Sequence, residues 1–358
     1  MAQSEIDAVR ALLKSKPRPV GWPERRKRID EVGAVWPVAD DVELTAVDVN
    51  GIPGEYSIIP GSDRSCVLMF FHGGGYCSGS IKSHRRLVTE AGRAARMRTL
   101  AISYRLAPEH PFPAAYDDAL TAWRFLRNQG IAAAHIAIGG DSAGAGLTLA
   151  LISRLRDAHE ELPVCAWLIS PWTDLTMSGS TLVTKAAVDP LIHREYLNEL
   201  ADAYVPAGMD RKDPRLSALY ADFRNFPPIL IQIGSDETLL DDATRLASRC
   251  NRYRSDFGDL ATHDSCMAFV ERSSGRWASR PCQRRCIRPG ASLTRYRLSD
   301  QTAFSEIAEI TARGTLHQID GELEQTNFPR VVYALDDRAE RFVFVFDLAP
   351  GAIDDRIH

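Results

Sequence analysis

Gly140-Asp141-Ser142-Ala143-Gly144 sets a hydroxyl between small residues. The apolar run Ile136 to Gly140 precedes it, and the Ala- and Leu-rich stretch Ala145 to Leu151 follows. In a strand–turn–helix setting the small flanks let the chain bend sharply without a Cβ clash, which holds the serine on a strained turn with Oγ exposed. The chemistry of such a group is nucleophilic attack on an acyl carbon. The backbone N–H of Ala143, at the helix start, faces the oxyanion that then develops. An ordinary glycine-rich turn is the plainer alternative, and the strand before and helix after argue against it.

His72-Gly73-Gly74-Gly75 follows a second apolar run, Cys66 to Phe71. Three consecutive glycines allow backbone N–H groups to approach a substrate carbonyl closely. A phosphate-binding loop is excluded, because no Gly-Lys-Ser/Thr follows. A dinucleotide fingerprint is excluded because the glycines do not continue in that spacing. A serine nucleophile needs a base, and an acid that orients the base. Gly234-Ser235-Asp236-Glu237 follows another apolar run, and functional groups of open α/β sheets gather at the carboxyl ends of strands. Asp236 and Glu237 are both candidates for the acid; Asp241 and Asp242 fall on the next helix. A helix N-cap cluster is the plainer reading of these acids, and it is compatible with catalysis.

The elements that must position these residues are legible as alternating patterns. Strands are expected at 66–71, 100–104, 136–140, 166–170 and 229–234, each a short continuous apolar run. Helical patterns occupy 82–96, 115–128, 144–157 and 240–250. Strands buried on both faces, alternating with helices, imply an α/β protein with a parallel sheet covered on both sides. Residues 42–60 read as a hairpin. Residues 1–40 and 174–224 read as broken helical segments, expected to form a cap over the site.

The 358-residue chain carries a net charge of -4, which gives no reason to expect nucleic acid or an anionic membrane as partner. It has no run of about 18 apolar residues and no apolar signal region near Met1, so a cytoplasmic protein without a membrane span is expected. Seven cysteines without such a signal argue against a disulfide framework. Cys282 and Cys286 lack a second Cys/His pair at zinc-site spacing, so no metal is expected.

Several motifs together, in order and spacing, resemble the hormone-sensitive-lipase-like branch of the α/β-hydrolases over about residues 5–250. They are His72-Gly73-Gly74-Gly75, Tyr104-Arg105-Leu106-Ala107-Pro108-Glu109, Phe112-Pro113-Ala114-Ala115, Gly140 to Gly144, Ser170-Pro171-Trp172-Thr173-Asp174 and Asp236 to Asp242. The resemblance implies an α/β-hydrolase fold with a mostly parallel sheet, flanking helices and a helical cap. It implies a carboxylesterase acting on small esters of short or medium acyl chains, or on lactones, with no cofactor. By the same resemblance Gly74, Gly75 and Ala143 are the oxyanion donors. Glu237 is the acid, four residues before the first member of the following acidic pair, with Asp236 as the alternative. The segment Tyr104 to Ala115 is expected to brace the loop near the site through its prolines and the Arg105/Glu109 pair.

The family's base is a histidine about thirty residues after the acid, in a Pro-x-Met-x-His stretch after the last strand. That stretch is missing. Residues 251–297 hold ten Arg, no Lys and four acids, and their periodicity fades. Yet the codons possible for Gly258 to Phe269, read one nucleotide later, permit Glu-Ile-Trp-Pro-Arg-Met-Ile-His-Ala-Trp-His, which resembles the missing loop. Further on, Ser292-Leu293-Thr294 permits Ala and then a stop. A frameshift near Cys250 to Arg254 is therefore expected, leaving the sheet without its last strand. His263 is the histidine nearest the base's place. A non-catalytic ligand-binding protein of the same fold is the alternative. In residues 298–358, Arg330 to Leu335 and Phe342 to Phe346 suggest a hairpin.

Overall fold

The computed structural model describes residues 18–252 and three later strands. A hairpin opens the sheet, β1 (Glu43–Val49) against β2 (Ile52–Ile58) in antiparallel register. Asn50 and Gly51 turn it with φ of 54° and 90°, the two left-handed positions that a tight two-residue hairpin requires. The remaining strands are β3 (Asp63–Phe71), β4 (Met97–Ile102), β5 (Ile136–Asp141), β6 (Cys165–Ile169), β7 (Ile229–Gly234) and β8 (Cys266–Glu271). The sheet order is β1-β2-β4-β3-β5-β6-β7-β8, and every pairing from β4 onward is parallel. The expected strands are all present, within a few residues at their ends.

Strand β3 shows why a continuous apolar run is a buried parallel strand. Val67, Met69 and Phe71 enter one core cluster, while Leu68 and Phe70 enter the other. Helices cover both faces: α1 (Trp22–Gly33), α2 (Ile81–Ala95), α3 (Ala114–Asn128), α4 (Ala143–Asp157), the short α5 (Thr181–Thr184), α6 (Arg194–Tyr204) and α7 (Leu240–Arg252). Ser80 caps α2 in a capping box with Ser83. No helix among the described residues is long and apolar enough to cross a membrane.

Two expectations need correction. The sheet does not lack a last strand: β8 pairs in parallel with β7, Cys266 opposite Ile229 and Glu271 opposite Gly234. The edge of β7 presents unpaired backbone groups, and the apolar Cys266 to Val270 has the composition to satisfy them. Nor do Arg105 and Glu109 pair with each other. Arg105 grips the buried Asp118 of α3, which also accepts the Arg105 N–H at 2.8 Å. Glu109 instead receives Arg26 of α1 at 2.6 Å. The later hairpin is present as β9 (Arg330–Leu335) against β10 (Phe342–Asp347).

Asp118→Ala strands the Arg105 N–H, and the expected cost is about 1–3 kcal/mol of stability. A lower urea midpoint checks it.

Candidate active site

Ser142 sits between β5 and α4 with φ 52° and ψ -117°. Side chains rarely adopt that region, and holding one there costs about 1–3 kcal/mol. The surroundings impose it. The Ser142 N–H donates to Ile169 O at 2.9 Å, and its carbonyl accepts from Gly146 and Trp172. Close approach explains the flanking glycines: a Cβ on Gly144 would lie 2.0 Å from Phe71 O, and one on Gly140 would lie 2.4 Å from the Gly144 backbone. The hydroxyl does not cap the helix it precedes, so its lone pairs and proton are not spent on α4. Ala143 is fully buried as the first residue of that helix.

The glycine loop lies against this turn. Gly73 N–H donates to Asp141 Oδ1 at 2.8 Å, which engages that amide. Gly74 and Gly75 follow with φ of 109° and 64°. Gly74 O accepts the N–H groups of Cys77 and Ser78, so the loop folds back on itself. His72 is buried and stacked on Tyr104 at 4.2 Å. Burial, with His84 nearby, pushes its pKa down to about 4, so it is neutral at ordinary pH.

Helix α6 closes over the loop. Leu200 occupies the space a Gly75 side chain would need, and Tyr204 stacks on Tyr76 at 3.9 Å. The two segments expected as cap meet each other where Arg25 of α1 reaches Glu199 of α6 at 2.8 Å. Arg26 of α1 holds Cys77 O and Ala107 O at 2.9 and 2.8 Å, which ties the N-terminal helix to the backbone beside the glycine loop.

The two acid candidates separate in space. Glu237 Oε1 accepts from Gly234 N–H at 2.7 Å and from Ser170 Oγ at 2.9 Å. Ser170 follows β6, and its own N–H donates to Gln232 O. Ser142 and Glu237 therefore both lean on the Ile169–Ser170 end of β6. Asp236 faces Lys185 at 3.8 Å. Asp241 and Asp242 lie on α7, as expected, and hold the 173–181 segment through Ser180, Thr173 and Asp174. Sequence reading did not single out Ser170 as a partner of Glu237. Its left-handed φ of 45° has no signature in a Ser-Pro dipeptide. His263 lies outside the described residues, and in the chain it precedes β8. No cluster of metal-ligating side chains occurs among the described residues.

A family profile described as the alpha/beta hydrolase fold matches residues 68–258. An acetyl-hydrolase of Streptomyces hygroscopicus is 37% identical over 255 residues, 69% of this chain and 82% of that protein. An ethyl acetate hydrolase of Pseudomonas putida is 34% identical, over 58% of this chain and 68% of its own length. The crystal structure of an esterase from the bacterial hormone-sensitive lipase family superposes with a TM-score of 0.71 at 36% identity, covering 76% of this chain and 89% of that one. With its sheet order, its serine turn and these relatives, the chain belongs to the α/β-hydrolases, in their hormone-sensitive-lipase-like branch.

Proposed function

We propose that the chain is a serine carboxylic ester hydrolase for small esters of short or medium acyl chains, with turnover impaired by the sequence beyond Arg252. The observation that carries the reading is Ser142 at φ 52°, its hydroxyl uncommitted to the helix, beside a glycine loop whose first amide is already engaged. In this reading Ser142 Oγ attacks the acyl carbon. The N–H groups of Gly74, Gly75 and Ala143 stabilise the oxyanion, and Glu237 orients the base. A histidine encoded in the shifted frame is the base, and this chain does not carry it in its family context. Helices α1 and α6 act as the cap. The relatives' names, acetyl-hydrolase and ethyl acetate hydrolase, support short acyl groups.

The test is hydrolysis of p-nitrophenyl butyrate by this chain, by the frame-corrected chain, and by the Ser142→Ala variant of each. Strong turnover is expected only from the corrected chain, and only with Ser142 present. A corrected chain no faster than its Ser142→Ala variant removes the nucleophile assignment. An uncorrected chain as fast as the corrected one removes the impairment.

Gly74→Ala probes the oxyanion loop. The added Cβ would lie 2.3 Å from Ser78 O at a φ of +109°. The loop must shift, and loss of a single donor lowers kcat by about 10²–10³-fold. The corrected chain with this change should lose more in kcat than in thermal stability.

A further inference from the structure

His84 enters neither the reading above nor the family motifs, yet it stands behind the loop on which that reading depends. It projects from the first turn of α2 toward β5, and its Nε2 lies 3.2 Å from both oxygens of Asp141. The same carboxylate accepts the Gly73 N–H at 2.8 Å. We propose that His84 is a positioning residue: as an imidazolium it holds Asp141, and Asp141 in turn anchors the glycine loop through Gly73.

The contacts of both ring nitrogens suit a doubly protonated ring. Nδ1 of His84 lies 2.8 Å from Ser83 Oγ. That hydroxyl has one proton, which it donates to Ser80 O at 3.0 Å, and it already accepts the Ser80 N–H at 2.9 Å. With its proton on Ser80 O, that hydroxyl accepts from His84 Nδ1. Nε2 faces a carboxylate, which only accepts. In this arrangement both ring nitrogens carry protons, and a histidine with two N–H groups is a cation.

The charged groups around the pair agree. Asp141 faces His84 from β5, Asp30 from α1, and His72, neutral, from the end of β3. Burial opposes the charge on His84, but Asp141, the Ser80 backbone and Asp30 together outweigh it and raise its pKa above the ordinary 6.5. Burial likewise opposes the charge on Asp141, but His84 outweighs it and keeps that carboxyl below its ordinary 3.8. A histidine with a raised folded pKa contributes its full stabilisation below 6.5 and loses it as pH rises through the folded pKa. A carboxylate with a depressed pKa contributes above 3.8 and loses it as pH falls through its folded pKa. The anchor is therefore complete between about pH 3.8 and 6.5 and slackens on the alkaline side.

The inference rests on the oxyanion role given to the glycine loop, but its test does not need turnover. His72–Gly73 is the one His–Gly dipeptide in the chain. Labelling the full chain with [¹⁵N]glycine and [carbonyl-¹³C]histidine thus isolates the Gly73 amide as a single NMR signal. The expected result is one transition of that signal at a pKa above 6.5. The transition should be absent in His84→Gln, which keeps a neutral donor, and in His84→Ala. It should persist in Ser142→Ala. A Gly73 signal that titrates identically in His84→Gln, or that does not titrate between pH 6 and 9, overturns the proposal. In the frame-corrected chain His84→Ala should lower kcat by about ten- to a hundredfold at unchanged KM. His84→Gln should recover most of that loss and flatten the alkaline limb. If the Gly73 titration depends on His84 while ester hydrolysis proves independent of Ser142, the ester reading falls and the anchor stands.

Discussion

Correcting the reading frame after Arg252 will raise hydrolysis of p-nitrophenyl butyrate by about four to six orders of magnitude, and Ser142→Ala in the corrected chain will remove the gain. The size follows from how a triad works. Its members act as a unit, so a site lacking only the base performs about as poorly as one lacking all three groups, and what is left comes from the oxyanion hole and substrate binding. The corrected codons supply Pro-Arg-Met-Ile-His where this chain reads Ala261-Thr262-His263-Asp264-Ser265. The new histidine falls at codon 265. The measurement is kcat/KM on the butyrate ester, with the gene sequenced across codons 250–294. Codons unable to give the histidine loop in the next frame would end the frameshift reading outright. Ser142-dependent turnover by the present chain would move attention back to His263, and His263→Ala would then be decisive.

Glu237→Gln and Asp236→Asn in the corrected chain should differ by about three orders of magnitude or more. Both changes remove a charge and nearly preserve shape. Glu237 is held by Gly234 N–H and by Ser170 at the end of β6, the strand that also receives the Ser142 N–H. An amide in the orienting position favours the wrong imidazole tautomer, and that substitution costs about 10⁴-fold in kcat in a serine triad. Asp236 faces Lys185, an ion pair with both partners partly exposed, and such pairs contribute about 0–1 kcal/mol. Asp236→Asn should therefore leave kcat within severalfold. Comparable losses in both variants would dissolve the assignment of Glu237. A loss confined to Asp236→Asn would reverse it.

The sequence made the sheet and the turns legible because their causes are local. A short apolar run bounded by turn residues has the length and pattern of a buried strand, and Gly140 and Gly144 sit where the backbone comes too close for any side chain. Gly51 could be read as a turn signal for the same kind of reason, whereas Pro53 and Gly54, read with it, belong to β2. What escaped was long-range pairing. Nothing near Arg105 says that Asp118, rather than Glu109, holds it, since a cation and three anions within fourteen residues fit more than one arrangement. His84 and Asp141 stand 57 residues apart, and their meeting depends on β3 lying between β4 and β5. The choice between Asp236 and Glu237 was likewise beyond local pattern, because adjacent residues point to different neighbours only once the strand ends are fixed. Strand β8 was missed because the resemblance reserved that place for a different sequence, whereas an open strand edge accepts any apolar run able to pair.

The strand order also bears on synthesis. The parallel strands β3 to β7, both core clusters, the serine turn and Glu237 are all encoded before residue 253. Pairing β3 with β5 must wait for Ile136 to Asp141 to emerge, so the centre of the sheet forms late by the standards of local structure. By the time Arg252 leaves the ribosome every strand from β3 to β7 is available to pair. The hundred or so residues that follow take roughly 5–20 s to make at ordinary elongation rates. Early in that interval Cys266–Glu271 is made, and it supplies the strand that pairs with the β7 edge.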